Sequence, residues 1–132
     1  MSITALIVDD SVDARNWLRR KLEGMGIVIA AEVENATDGL KRFQTMSPQL
    51  VTLDIMMPEI DGMDAMALFQ QIRQDAPDTA ILVVSARPQS ERRDFLKGGA
   101  IGYLEKPFVD FEAVARILRA YFPELAIRRA RA

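Results

Sequence analysis

The chain has 132 residues, 17 Lys and Arg against 19 Asp and Glu, and a net charge of −2. It contains no cysteine and no histidine, which excludes disulfides, thiolate or histidine nucleophiles and histidine-bound zinc. The length predicts one domain, the charge gives no case for direct nucleic-acid binding, and no apolar stretch is long enough to cross a membrane.

Short apolar runs alternate with amphipathic segments along the chain, a pattern typical of a parallel sheet with helices on both faces. The runs predict five strands, at residues 3–8, 27–33, 50–53, 80–84 and 101–104. Between and after them, helical spacing predicts five helices, the first capped by Ser11, the second starting near Asp38, and the others at 63–75, 89–97 and from Asp110. The predicted fold is therefore α/β, a doubly wound five-stranded parallel sheet of flavodoxin type with strand order 2-1-3-4-5.

Four of the predicted strands end in residues that can carry chemistry. Asp9 and Asp10 follow the first strand, Asp54 the third, Ser85 the fourth and Lys106 the fifth. Because the carboxyl ends of parallel strands meet at one edge of the sheet, these side chains are expected to converge there. Three carboxylates with an ammonium form a set suited to oxygen-bound Mg²⁺, or Mn²⁺, and to phosphoryl chemistry.

This set, each residue at a strand end and in this order, resembles the receiver domain of response regulators, the phosphoacceptor module of two-component signalling. Met56-Met57-Pro58, Asp61-Gly62, Ser85-Ala86 and Lys106-Pro107-Phe108 belong to the same pattern. The resemblance covers about residues 3–122. It therefore predicts a receiver domain over residues 1–122, followed by a tail or linker remnant over 123–132.

The resemblance implies a role for each site residue. Asp54 would be the phosphoacceptor, and Asp10, Asp54 and the backbone carbonyl of Met56 would bind the metal directly, with Asp9 acting through a bound water. Lys106 would pair with a phosphoryl oxygen. Ser85 would sense the phosphoryl group through its hydroxyl, and Tyr103 would be the aromatic switch. Lys106-Pro107 would form a cis-proline turn. Met56 and Arg87 would both influence how long the phosphoryl group survives.

The implied partners are a histidine kinase or histidine phosphotransfer protein as donor and an unknown output protein. The output protein is expected on the face of the fourth helix, fifth strand and fifth helix, where Arg92, Arg93, Lys97, Arg116 and Arg119 lie. The basic side of the first helix, Arg15, Arg19, Arg20 and Lys21, is either a solvated face or a kinase-docking surface. A cytoplasmic location and a phosphorylation-dependent homodimer complete the expectation.

Two other functions remain open from the sequence. The chain could be the receiver half of a DNA-binding regulator, although it ends about ten residues after the last predicted helix. It could also be a hydrolase with an aspartyl nucleophile, of the haloacid dehalogenase type. That family places a second aspartate two residues after the nucleophile, where this chain has Met56, so turnover of external substrates is not expected.

Overall fold

The computed structural model describes residues 2–86, 91–107 and 111–125. Its five strands are β1 (Thr4–Val8), β2 (Val28–Val33), β3 (Leu50–Asp54), β4 (Ala80–Ser85) and β5 (Gly102–Glu105). Its helices are α1 (Val12–Gly24), α2 (Ala36–Met46), α3 (Ala65–Asp75), α4 (Arg92–Lys97) and α5 (Glu112–Tyr121), and residues 123–125 are again helical. Strands and helices alternate in the predicted order.

The strands form one parallel sheet in the order β2-β1-β3-β4-β5, as predicted. β1 and β3 are neighbours, with Val8 opposite Leu53 at their carboxyl ends. The order of the chain through the sheet reverses at this pair of strands. A crevice at that edge is where such folds place their ligands.

Alternate side chains of the strands enter two cores, one on each face of the sheet. On one face, Leu6 and Val8 of β1 pack with the apolar sides of α2, α3 and α4, represented by Phe43, Leu68 and Phe95. On the other face, Ala5 and Ile7 pack with α1 and α5, represented by Leu18, Leu22, Val114 and Leu118. Both faces are covered, which is why the strands read as continuous apolar runs.

The helix boundaries show where local capping decides the start. Ser11 caps α1 as predicted, its hydroxyl accepting a hydrogen bond from the Ala14 N–H at 3.2 Å. α2 begins at Ala36, earlier than predicted, because Asn35 accepts from the Asp38 N–H at 2.8 Å. α3 begins at Ala65 rather than at residue 63, because Asp64 is the cap.

The predicted starts of the fourth and fifth helices cannot be compared with the structure. The predicted start of the fourth helix at 89 and the Asp110 cap lie outside the described residues. At the other end of α5, Leu125 is 3% exposed and packs into the core formed with α1 and α5. It lies past the predicted domain boundary at 122, which stays a prediction. Within the described residues, no helix is long and apolar enough to cross a membrane.

Candidate functional site at the carboxyl edge of the sheet

Three carboxylates meet where β1 and β3 end. Asp9 and Asp54 are almost completely buried, whereas Asp10 is exposed. One oxygen from each of the three lies within 4.8 Å of the others. The two buried carboxylates lie there because each comes at the end of an apolar strand that is itself buried on both faces.

Lys106 brings the compensating charge from the end of β5. Its Nζ lies 2.9 Å from Asp9 Oδ2, 3.0 Å from Asp9 Oδ1 and 3.2 Å from Asp54 Oδ2. The Lys106 N–H donates to the Ser85 carbonyl at 2.9 Å, which fixes the backbone that carries the ammonium. The next peptide bond, Lys106–Pro107, is cis.

Backbone groups also orient both buried carboxylates. The Met56 N–H donates to Asp54 Oδ1 at 2.9 Å, and the Ser11 N–H donates to Asp9 Oδ1 at 2.9 Å. Asp54 therefore presents one oxygen to its own loop and the other to Lys106. Hydrogen bonds of this kind favour the charged form of a carboxylate.

The electrostatics of the cluster remain unbalanced. Burial raises the pKa of Asp54, and the Asp9 charge raises it further, while the Met56 N–H and Lys106 offset only part of the rise. Asp10 is exposed, but the neighbouring protein atoms remove part of its hydration; this desolvation and the Asp54 charge raise the pKa of Asp10 as well. Burial by itself lowers the pKa of Lys106, but Asp9 and Asp54 outweigh it and the net shift is upward. The site thus carries more negative charge than its one ammonium can balance.

The donor set fits a hard divalent cation. Mg²⁺ and Mn²⁺ prefer oxygen ligands such as carboxylates, and three carboxylates are present here. Asp9 Oδ2 is buried and forms an ion pair with the Lys106 ammonium at 2.9 Å. A carboxylate oxygen has two lone pairs, so one ion-pair partner leaves it able to coordinate a cation as well.

Ser85 lies at the end of β4, beside β3, and Tyr103 lies on β5, the next strand of the sheet. Ser85 ends β4 one residue beyond Val84, which pairs with Asp54, and it is fully buried. Tyr103 is 8% exposed and packs into the core on the α4 side. Its hydroxyl is buried and has no hydrogen-bond partner among the described residues, while the Arg92 guanidinium carbon lies 5.8 Å from the ring centroid.

The other predicted site residues are placed less closely. Met56 is 43% exposed, and only its N–H is seen to contact Asp54. Arg87, the second predicted lifetime position, lies outside the described residues, as does Phe108. The structure therefore brings together Asp9, Asp10, Asp54 and Lys106, with Ser85 and Met56 adjoining them.

One residue near the site could not be singled out from the sequence. Arg15 belongs to the basic side of α1, yet its side chain is only 18% exposed and its Nη1 donates to the Asp9 carbonyl at 2.7 Å. Arg20 and Lys21 of the same group are exposed. The available signal was the position of Arg15, one helical turn after the Ser11 cap, which returns a long side chain toward the preceding loop.

Comparison with known proteins identifies the class. The geometry defines an α/β fold with a parallel sheet and an acidic cluster at its switch point. A family model described as "Response regulator receiver domain" matches residues 5–119, and the chain belongs to this family.

Individual relatives agree with that assignment. The chemotaxis protein CheY of Listeria monocytogenes is 36% identical over 104 residues, covering 78% of this chain and 85% of that protein. The response regulator MprA of Mycobacterium bovis is 39% identical over 131 residues, covering 94% of this chain but only 54% of MprA. The crystal structure of the CheX-CheY-BeF3-Mg+2 complex from Borrelia burgdorferi has a TM-score of 0.80 at 25% identity, over 91% of this chain and 89% of that one.

Proposed function

We propose that the chain accepts a phosphoryl group on Asp54 from a histidine kinase or histidine phosphotransfer protein and signals through altered protein binding. The observation that carries the proposal is the position of Asp54, buried at the end of β3 with Lys106 Nζ 3.2 Å from one oxygen. A buried carboxylate beside an ammonium and two further carboxylates can bind a divalent cation and, with that cation, an anionic group; membership in the receiver family supports phosphoryl as that group.

The chemical step assigned to Asp54 is nucleophilic. An oxygen of its carboxylate attacks phosphorus in line, a new oxygen–phosphorus bond forms, and the bond from phosphorus to the donor's leaving group breaks. The product is an acyl phosphate on Asp54. Asp54 Oδ1 is held by the Met56 N–H and Oδ2 faces Lys106, so Oδ2 lies on the side where an ammonium can stabilise the incoming negative charge.

Asp9, Asp10, Asp54 and the Met56 carbonyl are the groups proposed to hold Mg²⁺, with Mn²⁺ as a substitute. Three carboxylates and one ammonium leave two negative charges, which a divalent ion would balance. When bound, the ion supplies charge that shields the phosphoryl oxygens from the carboxylates. The CheX-CheY complex of Borrelia burgdorferi contains Mg²⁺ together with BeF₃, which supports the assignment by similarity.

Ser85 and Tyr103 are the proposed path from the site to an output partner. The Ser85 hydroxyl would form a hydrogen bond with the new phosphoryl group and draw the loop after β4 inward. The side chain of Tyr103 would then change its position. The proposed output face is α4, β5 and α5, where Arg92 contacts the Tyr103 ring.

For Tyr103→Ala we expect near-normal phosphorylation but weaker coupling to the partner. Equal partner affinity of phosphorylated Tyr103→Ala and wild type would contradict the switch.

A second candidate follows from the length of one relative. Since this chain corresponds to 54% of MprA, the alternative is that it acts as the receiver part of a longer regulator whose remaining part binds the output target. The phosphoryl chemistry is the same in both cases. Assay of phosphorylation-dependent binding, with the chain alone and with the rest of its reading frame, separates the two.

The decisive experiment is the intact mass of the protein after incubation with acetyl phosphate, with and without Mg²⁺. We expect a Mg²⁺-dependent gain of one phosphoryl group in the wild type and none in Asp54→Asn. Asp61→Asn, which changes an exposed carboxylate in the following loop, is the matched control and should be phosphorylated normally. A gain in Asp54→Asn equal to that of the wild type would refute the assignment. No gain with either acetyl phosphate or a kinase extract would refute acceptance itself.

A further inference from the structure

The peptide group between Asp9 and Asp10 is held by a side chain from outside the acidic cluster. Arg15 Nη1 donates to the Asp9 carbonyl oxygen at 2.7 Å. Arg15 lies in the first turn of α1, and its own N–H donates to the Ser11 carbonyl at 3.0 Å. The helix start thus aims a guanidinium back at the loop from which the helix emerges.

That peptide group determines where Asp10 points. The carbonyl of Asp9 and the N–H of Asp10 belong to one planar unit, so fixing the oxygen fixes the plane from which the Asp10 side chain departs. Asp9 is already fixed on its other side, because its N–H donates to the Val33 carbonyl at 3.0 Å and its Oδ1 accepts from the Ser11 N–H. Asp10 is exposed, so its direction depends chiefly on the backbone.

Arg15 also forms an ion pair with Glu32 of β2. Its Nε lies 3.8 Å from Glu32 Oε1, and the other Glu32 oxygen accepts from Arg19 Nη1 at 2.7 Å. Arg19 also donates to the Asn16 side chain at 2.9 Å. A guanidinium presents its donors in a rigid planar fork, so an anchored Arg15 defines the direction of the bond to Asp9.

We propose that Arg15 is a positioning residue that orients the Asp9–Asp10 peptide and thereby sets the affinity of the acidic cluster for its divalent cation, without contacting the phosphoryl group. The inference rests on the proposed function, since it concerns the same site. It assigns to Arg15 a role in which the side chain acts through a backbone carbonyl and not through its charge.

Removal of the Arg15 side chain should change the cation affinity in opposite directions, depending on whether Arg15 acts by positioning Asp10 or by its charge. Loss of a positive charge near three carboxylates should by itself tighten cation binding, because repulsion of the cation falls. Loss of the hydrogen bond that orients Asp10 should weaken it, and removal of outer-sphere partners of metal ligands typically costs about tenfold or more in affinity. The positioning role therefore predicts the result opposite to that of a nearby charge.

The test measures Mg²⁺ binding to the full chain by isothermal titration calorimetry and free Mn²⁺ by electron paramagnetic resonance. For Arg15→Ala we expect a dissociation constant about tenfold higher than that of the wild type. Arg20→Ala removes the same charge from an exposed position on the same helix and should stay within about twofold. Arg15→Lys keeps the charge and loses the fork; it should fall between the wild type and Arg15→Ala, and it serves if the alanine variant does not fold.

A second measurement distinguishes positioning from direct contact with the reacting group. We expect the phosphorylation rate of Arg15→Ala with acetyl phosphate to need more Mg²⁺ for half-saturation, yet to approach the wild-type rate when Mg²⁺ saturates. A rate that stays low at saturation, or unchanged or tighter Mg²⁺ binding in a folded Arg15→Ala, would overturn the inference. If the wild type neither binds Mg²⁺ nor accepts phosphoryl, the proposed function itself fails, and that outcome is distinct from the other two.

Discussion

At the scale of single residues, the acidic cluster makes the stability of the metal-free protein depend on pH. The pKa of Asp54 and that of Asp10 are raised above their values in the unfolded chain, in both cases first by burial. A carboxyl group with a raised pKa stabilises the fold below the unfolded value, near 4, and loses that contribution as pH rises through the folded value.

We therefore predict that Asp10→Asn stabilises the metal-free protein near neutral pH. The substitution removes a negative charge beside Asp54 and leaves the contacts of Asp54 with Met56 and Lys106 in place. In EDTA, the melting temperature of the variant should exceed that of the wild type by a few degrees at pH 7, and the difference should shrink toward pH 4. Adding Mg²⁺ should raise the melting temperature of the wild type more than that of the variant. A constant difference between pH 4 and pH 7 would show that the Asp10 charge is not the cause.

Met56 supplies a prediction about the lifetime of the phosphoryl group. Its side chain is apolar and exposed, and only its N–H is seen to contact Asp54, so it offers no group to orient a hydrolytic water. Met56→Asn would add such a group, and one hydrogen bond of about 1 kcal/mol corresponds to an approximately fivefold faster loss of phosphoryl. The decay of the phosphorylated mass after removal of donor measures this. Met56→Leu is the control, and an asparagine variant that decays as slowly as the wild type would refute the idea.

The site shows what sequence can and cannot reveal about a residue. Asp9, Asp10, Asp54 and Lys106 were predicted to converge because each lies at a strand end, and strand ends of a parallel sheet share one edge. Arg15 was missed because its partner is a backbone carbonyl, and every residue has one, so no pairing of side-chain types in the sequence points to it. Tyr103 was predicted as a switch, but the Arg92 contact with its ring depends on packing that periodicity does not describe.

At the scale of elements, Gly39 of α2 lies in close contact with α3 and with β1. A Cβ at Gly39 would lie 3.0 Å from Leu68 Cδ2 and 3.3 Å from Val8 Cγ2. Both neighbours are fully buried and have little room to move. By contrast, a Cβ at Gly24, the last residue of α1, would meet nothing within 4 Å.

The two glycines make a matched pair for mutation to alanine. Alanine favours helix at both positions, by up to about 1 kcal/mol in a helix interior. We expect Gly24→Ala to raise the free energy of unfolding by about 0.5 kcal/mol, because alanine favours the helical conformation and its methyl group would meet no other atom. We expect Gly39→Ala to lower it by about 1–2 kcal/mol, because overpacking exceeds the gain in helix propensity. Urea unfolding of both variants measures the values, and stabilisation by Gly39→Ala would mean that α2 can move outward at little cost.

The elements also show which boundaries a sequence can locate. The apolar runs placed all five strands to within a residue or two, because burial on both faces leaves a strong signal. The starts of α2 and α3 were misplaced by about two residues, since Asn35 and Asp64 compete as caps with other polar residues nearby. A cap needs both a side-chain acceptor and a suitable backbone conformation. Several residues of the same stretch carry the acceptor, and the sequence does not show which of them has the conformation.

At the scale of the whole molecule, apolar packing reaches Leu125, three residues after the predicted domain boundary at 122, and that boundary can be tested by mutation. Leu125 is 3% exposed and packs with Phe122 and the α1 side of the core. We expect Leu125→Ala to lower the free energy of unfolding by about 2–3 kcal/mol, as is usual for a buried leucine. Glu124→Ala, an exposed neighbour, should leave it unchanged. Equal stability of the two variants would place the boundary where the sequence suggested.

The strand order has a consequence for how the protein is made. The ribosome releases β1 first, but its neighbour β3 ends at Asp54, and Lys106 follows β5. During synthesis, at about 5–20 residues per second, the nascent chain therefore spends seconds with Asp9 and Asp54 translated and their ammonium partner still missing. A nascent chain that pairs β1 with β3 in this interval buries two carboxylates without their cation. Closure of the site thus waits for β5, and a chain stalled before β5 cannot bring Lys106 to the carboxylates of Asp9 and Asp54.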